Sequence, residues 1–130
     1  NNLLNRIQPL IKALTPQDFE ILCELIFSNS GWRRTTKTGG TQKTIDIELQ
    51  NPVTGDTAFV QVKTSTTQKE FEAYISQKRV TDYDRMFYVY HSGKISSLEV
   101  DVDISVWDLN KVAEQVVNNG LIDWVIAHSQ

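Results

Sequence analysis

An α/β fold with a mixed sheet flanked by helices is what this sequence predicts. Two observations carry that expectation. Apolar residues recur at helical spacing at both ends of the chain and once in its middle. Between those segments lie short runs that alternate apolar and polar residues or are rich in aromatic and β-branched ones. The expected core order is helix, strand, strand, strand, helix, strand, strand, helix, with residues 32–36 as the first strand.

Leu3, Leu4, Ile7, Leu10, Ile11 and Leu14 are spaced as one helical face, and Pro9 is expected to break or kink that segment. Thr15-Pro16-Gln17-Asp18 is a helix start: a hydroxyl to cap first-turn amides, a proline for the first helical position and an acid for the dipole. Phe19, Leu22, Cys23, Ile26 and Phe27 then form one stripe, closed by Ser28-Asn29-Ser30-Gly31. Ile45, Ile47 and Leu49 alternate with Asp46, Glu48 and Gln50. After a turn at 51–56, Ala58, Val60 and Val62 alternate with Phe59, Gln61 and Lys63, which predicts a hairpin with one apolar face. A helix is expected over 68–79, strands over 86–91 and 104–107, a helix over 109–117 and a short apolar helix over 121–127.

The chain has 130 residues and net charge −3, with 40% apolar and 22% charged residues, which suits one folded domain, residues 1–130. Residues 1–14 read as a helical extension and 15–128 as the core. A first residue of Asn rather than Met suggests a piece of a longer chain. The single cysteine excludes an internal disulfide framework, and no apolar run approaches the roughly 20 residues of a membrane helix, so a cytoplasmic setting is expected. Charge is uneven. Residues 1–94 hold 12 basic and 10 acidic residues, whereas 95–130 hold one basic and six acidic. Residues 31–45 contain Arg33, Arg34, Lys37 and Lys43 and no acid, a segment suited either to a polyanion or to plain solvation.

Strand alternation puts Asp46, Glu48, Gln61 and Lys63 on one face of the hairpin. With the turn centred between Val53 and Thr54, Asp46 lies across from Gln61 and Lys63 is one diagonal step away. Asp46 and the Gln61 side-chain oxygen suit a hard cation such as Mg²⁺. Lys63 can orient or deprotonate the attacking water and offset charge on a phosphate. The same pattern also describes an ordinary hairpin with a solvated polar face. Glu20 falls beside Phe27 at the margin of the apolar stripe, either facing a neighbouring sheet or in solvent. His91, His128 and Cys23 read as a strand end or turn, a solvated terminus and core, respectively. Trp32, Trp107 and Trp124 read as packing residues.

The ordered set Thr15-Pro16-Gln17-Asp18-Phe19-Glu20, Ser30-Gly31-Trp32, Thr38-Gly39-Gly40, Ile45-Asp46-Ile47 and Val60-Gln61-Val62-Lys63 resembles the Mrr-type restriction endonuclease domain of the PD-(D/E)XK nuclease superfamily. The resemblance implies a restriction-endonuclease-like three-layer core. It implies a DNA endonuclease that hydrolyses phosphodiesters with Mg²⁺, for which Mn²⁺ substitutes. Glu20 resembles the helix acid, Asp46 the metal-binding aspartate and Lys63 the catalytic lysine. Gln61 stands where that branch commonly has Gln. Arg33, Arg34, Lys37 and Lys43 would touch the DNA backbone, and a homodimer or further domains of a longer chain would supply a second site. Where the family writes an acid and two glycines, this chain has Gln42-Lys43-Thr44. That departure and the acidic last third favour an alternative: an inactive nuclease-fold module that binds nucleic acid or protein.

Overall fold

In the computed structural model, which describes residues 2–35, 47–79, 83–96 and 102–130, helix α1 (Asn2–Lys12) runs on through Pro9. The expected break does not occur. Proline removes the N–H that would bond the Asn5 carbonyl, but Asn5 and Pro9 are exposed and water can serve that group. Ile7 and Ile11 are buried on the opposite stripe, and tertiary packing of that stripe outweighs the lost bond.

α2 (Pro16–Asn29) starts where its capping residues put it. Thr15 Oγ1 accepts from the Asp18 amide at 3.1 Å. Its stripe, Phe19, Leu22, Cys23, Ile26 and Phe27, is wholly buried. The remaining elements are β1 (Arg33–Arg34), β2 (Ile47–Gln50), β3 (Thr57–Thr66), α3 (Gln68–Arg79), β4 (Arg85–Gly93), β5 (Ile104–Trp107), α4 (Leu109–Asn118) and α5 (Ile122–His128).

The five strands form one sheet in the order β1-β2-β3-β4-β5. The first two pairings are antiparallel and the last two parallel, so the sheet is mixed. The β2–β3 register pairs Ile47 with Val60 and Leu49 with Ala58, as a turn centred between Val53 and Thr54 requires. Asn51 Oδ1 accepts from the Val53 and Thr54 amides within that turn.

The hairpin differs from expectation in one respect: both of its faces are covered. On the first face Ile47, Leu49, Ala58, Val60 and Val89 pack under α1, α2, α4 and α5. On the second, Phe59, Met86, Tyr88 and Ile104 pack under Phe71 and Ile75 of α3. The result is a three-layer α/β/α domain. Phe59, the one large apolar residue among the alternating polar positions, is what the second core is built on. α1 belongs to the first core through Ile7 and Ile11, and Leu14 joins it just past the helix end.

Thr66 and Gly93 face each other at the carboxyl ends of β3 and β4. Gly93 has φ +91°, and a Cβ there would lie 2.0 Å from the Thr66 carbonyl oxygen. Gly93→Ala should therefore destabilise the fold by about 3 kcal/mol or more, through both backbone strain and a main-chain clash. Urea unfolding of the two proteins measures this, and an unchanged midpoint would contradict the close approach.

Candidate functional site

Gln61 and Lys63 are two residues apart on β3 and share the second face. Gln61 is 4% exposed and stands beside Tyr88, its register partner on β4. Lys63 stands one step nearer the strand's carboxyl end, beside Tyr90. Its ammonium lies 3.3 Å from Glu70 Oε2 in the first turn of α3 and 5.8 Å from the centre of the Tyr74 ring. The polar strand positions are thus packed beneath a helix, and Gln61 is no solvated side chain.

Glu20 arrives from α2. With Pro16, Val62, Lys63, Thr64 and Ser65 it lines a hollow of about 290 Å³ beside the carboxyl-terminal half of β3. The structure therefore brings Glu20 and Lys63 to one hollow, with Gln61 two residues back along the same strand. Asp46 lies outside the described residues, as do Lys37 and Lys43. Glu48 is paired with Phe59 on the second face.

The two arginines of β1 separate. Arg34 stands across from Leu49 on the first face, and its guanidinium is paired with Glu24 of α2 at 2.5 Å. Arg33 stands across from Gln50 on the second face and is exposed. A second hollow, of about 270 Å³, is bordered by both, with Glu24, Ser28, Trp32 and Leu49.

The donors offered by Gln61 and Glu20 are amide and carboxylate oxygens, which suit a hard divalent cation. The chain's two sulfur ligands, Cys23 and Met86, are both buried in the cores. Among the described residues no group of three or more His, Cys, Asp and Glu side chains is poised to hold a metal.

Several side chains have structural roles. His91 continues β4 instead of turning, its ring set edge-on to Phe19 at 4.7 Å and its Nδ1 2.7 Å from Ser92 Oγ. Burial, helped by the Lys12 charge, holds its pKa below the usual histidine value. Trp107 stacks on Phe27 at 4.8 Å, Trp32 meets Phe87 edge-on and His128 stacks on Trp124. The residue that the sequence reading missed is Glu70, because its contact with Lys63 crosses from helix to strand and leaves no periodic trace.

A model of the Mrr catalytic-domain family, described as a restriction endonuclease, matches residues 11–94. The match takes in α2, β1 to β4 and α3, and with them Glu20, Asp46, Gln61 and Lys63. No curated protein matches the chain.

Beside Gln61, Tyr88 is fully buried and its hydroxyl lies 2.5 Å from Thr66 Oγ1. Burial pushes its pKa from 10.0 to about 12, with the negative charges of neighbouring groups acting the same way against the Thr66 bond. The folded state therefore holds a proton that the unfolded state gives up first. Stability should be unaffected by this group below about pH 10 and should fall as pH rises from there toward 12. Urea midpoints across that range test this, and Tyr88→Phe should flatten the decline.

Proposed function

Because this chain belongs to the Mrr-type restriction endonuclease family, we propose that it is a DNA endonuclease domain that hydrolyses phosphodiesters with the help of a divalent cation. Mg²⁺ is the ion we assign, with Mn²⁺ as a substitute. The observation that carries the reading is the meeting of Glu20 and Lys63 in one hollow, from a helix and a strand joined by no local contact in sequence. Gln61 lies two residues before Lys63 on β3, and the family match spans all three.

Asp46 and the Gln61 amide oxygen would hold the ion, with Glu20 supporting it from α2. Bound there, Mg²⁺ supplies Lewis acidity toward the scissile phosphate. Lys63, which lines the hollow, would turn its ammonium to offset negative charge that builds on the phosphate as the attacking water closes. The Lys63 side chain is 25% exposed, and that partial burial makes the field of its ammonium stronger than it would be in open water. Exposed Arg33, together with Lys37 and Lys43, is assigned to the DNA backbone, contacts that position the duplex without reading its sequence. Cutting both strands requires two such sites, so we assign a homodimer or a second domain of a longer chain. No helix among the described residues is long and apolar enough to cross a membrane, and DNA as substrate suits a cytoplasmic setting.

The direct test is plasmid conversion to nicked or linear forms with and without Mg²⁺ or Mn²⁺. Lys63→Ala should lower cleavage about a hundredfold or more while DNA affinity stays within about twofold, since one ammonium is a small part of the phosphate contact. Cleavage by Lys63→Ala at the parental rate would show the site to be misassigned. A parent that neither cuts nor binds Mn²⁺ would mark a non-catalytic module.

The pairing of Arg34 with Glu24 yields a second expectation. Arg33→Ala should lower the salt slope of DNA binding by about 0.9, whereas Arg34→Ala should change it less because its charge is already answered. Binding isotherms over a salt series compare the two variants.

A further inference from the structure

We propose that Glu70 is a positioning residue for the Lys63 ammonium, fixing where it stands beside the hollow that Lys63 lines; this rests on the nuclease reading above. Thr67-Gln68-Lys69-Glu70 opens α3 with the residue pattern of a capping box, in which the glutamate turns back to the amide of the cap residue. Half of the box is made: Thr67 Oγ1 accepts from the Glu70 amide at 3.2 Å. The glutamate side chain goes elsewhere, to Lys63 Nζ at 3.3 Å. Helix capping therefore does not account for the carboxylate.

Lysine is a point charge on a flexible four-carbon stem, and placing it takes contacts from outside its own strand. Two are present. Glu70 Oε2 meets the ammonium, and the Tyr74 ring, one helical turn further on, stands 5.8 Å from it. Both are carried on a helix whose start is fixed. The Phe71 amide donates to the Thr67 carbonyl at 3.0 Å, and Gln68 Oε1 accepts from the Ser96 amide at 2.9 Å while its Nε2 donates to Glu72. Among the described residues no other acid forms an ion pair with Lys63. The ammonium thus has a defined place before substrate arrives, and an entering phosphate finds a cation already oriented.

A half-exposed ion pair adds little to folding stability, so a positioning role and a stabilising role predict different results. The experiment compares the parent, Glu70→Gln, Glu70→Asp, Lys63→Ala and the Lys63→Ala/Glu70→Gln double variant of the full chain on plasmid DNA with Mg²⁺. Glu70→Gln should lower kcat about tenfold or more with KM within about twofold, because the cation is displaced and not removed. Its melting temperature should match the parent's, Glu70→Asp should recover part of the loss, and adding Glu70→Gln to Lys63→Ala should cost nothing more. Side-chain ¹⁵N relaxation of the metal-free protein supplies a readout independent of cutting: the Lys63 ammonium should be ordered in the parent and mobile in Glu70→Gln. Parental kcat in Glu70→Gln, or an equally ordered Lys63, overturns the proposal while leaving the nuclease reading intact. A loss of activity that tracks a lowered melting temperature overturns it in favour of a structural role. A parent that leaves the plasmid whole overturns both.

Discussion

β3 is covered on both faces, and the rest of the molecule is arranged around that constraint. Val60 and Ala58 look into a core closed by four helices, while Phe59 looks into a second core covered by α3. A strand with two dry faces has no room for an unsupported polar side chain. Gln61 and Lys63 are tolerated because they lie toward the carboxyl end, where the second core gives way to the Thr66–Tyr88 hydrogen bond, the Tyr74 ring and the Glu70 carboxylate. The polar end of β3 is therefore provided for by its neighbours, near the level where the parallel β4–β5 pairing ends at Val89 and Trp107. Open α/β sheets offer their ligand clefts beyond those ends.

Most of the secondary structure is written in local pattern. Thr15 and Pro16 set the start of α2, the period of two sets the hairpin, and the turn at Asn51 sets its register. What local pattern cannot convey is which neighbour covers which face. Pro9 carries a local signal for a break, yet burial of Ile7 and Ile11 overrides it. The alternation around Gln61 signals a solvated face, and Phe59 was the single residue that argued otherwise. α3 supplies its cover from a segment with few apolar residues, so its amphipathic pattern understates how much it buries.

The candidate site divides along the same line. Gln61 and Lys63 sharing a face follows from strand geometry alone and is legible at once. Glu20 at the same hollow depends on the packing of α2 across the sheet, which an acid at the margin of its apolar stripe could only suggest. The separation of Arg33 from Arg34 was hidden for a different reason. Adjacent residues in a strand always diverge, but the segment's uniform basic character masked the partner waiting on one side, Glu24. Side-chain pairing across elements, as between Lys63 and Glu70, has no sequence period and is visible only in three dimensions.

The sheet order also sorts charge within a chain of net charge −3. β1, with Arg33 and Arg34, forms one edge, and β5 forms the other. α4 packs against β4 and β5, and α5 follows it against α1, so Asp108, Glu114 and Asp123 stand with the far half of the sheet. Charges separated by more than about 10 Å are largely screened from each other at ordinary ionic strength, so where charges stand matters more than their sum. Exposed Arg33 stands on the β1 edge, and β2 and β3 lie next in the sheet. Net charge thus says little about whether this domain can engage DNA. The ordering of five strands, which separates basic edge from acidic helices, says more.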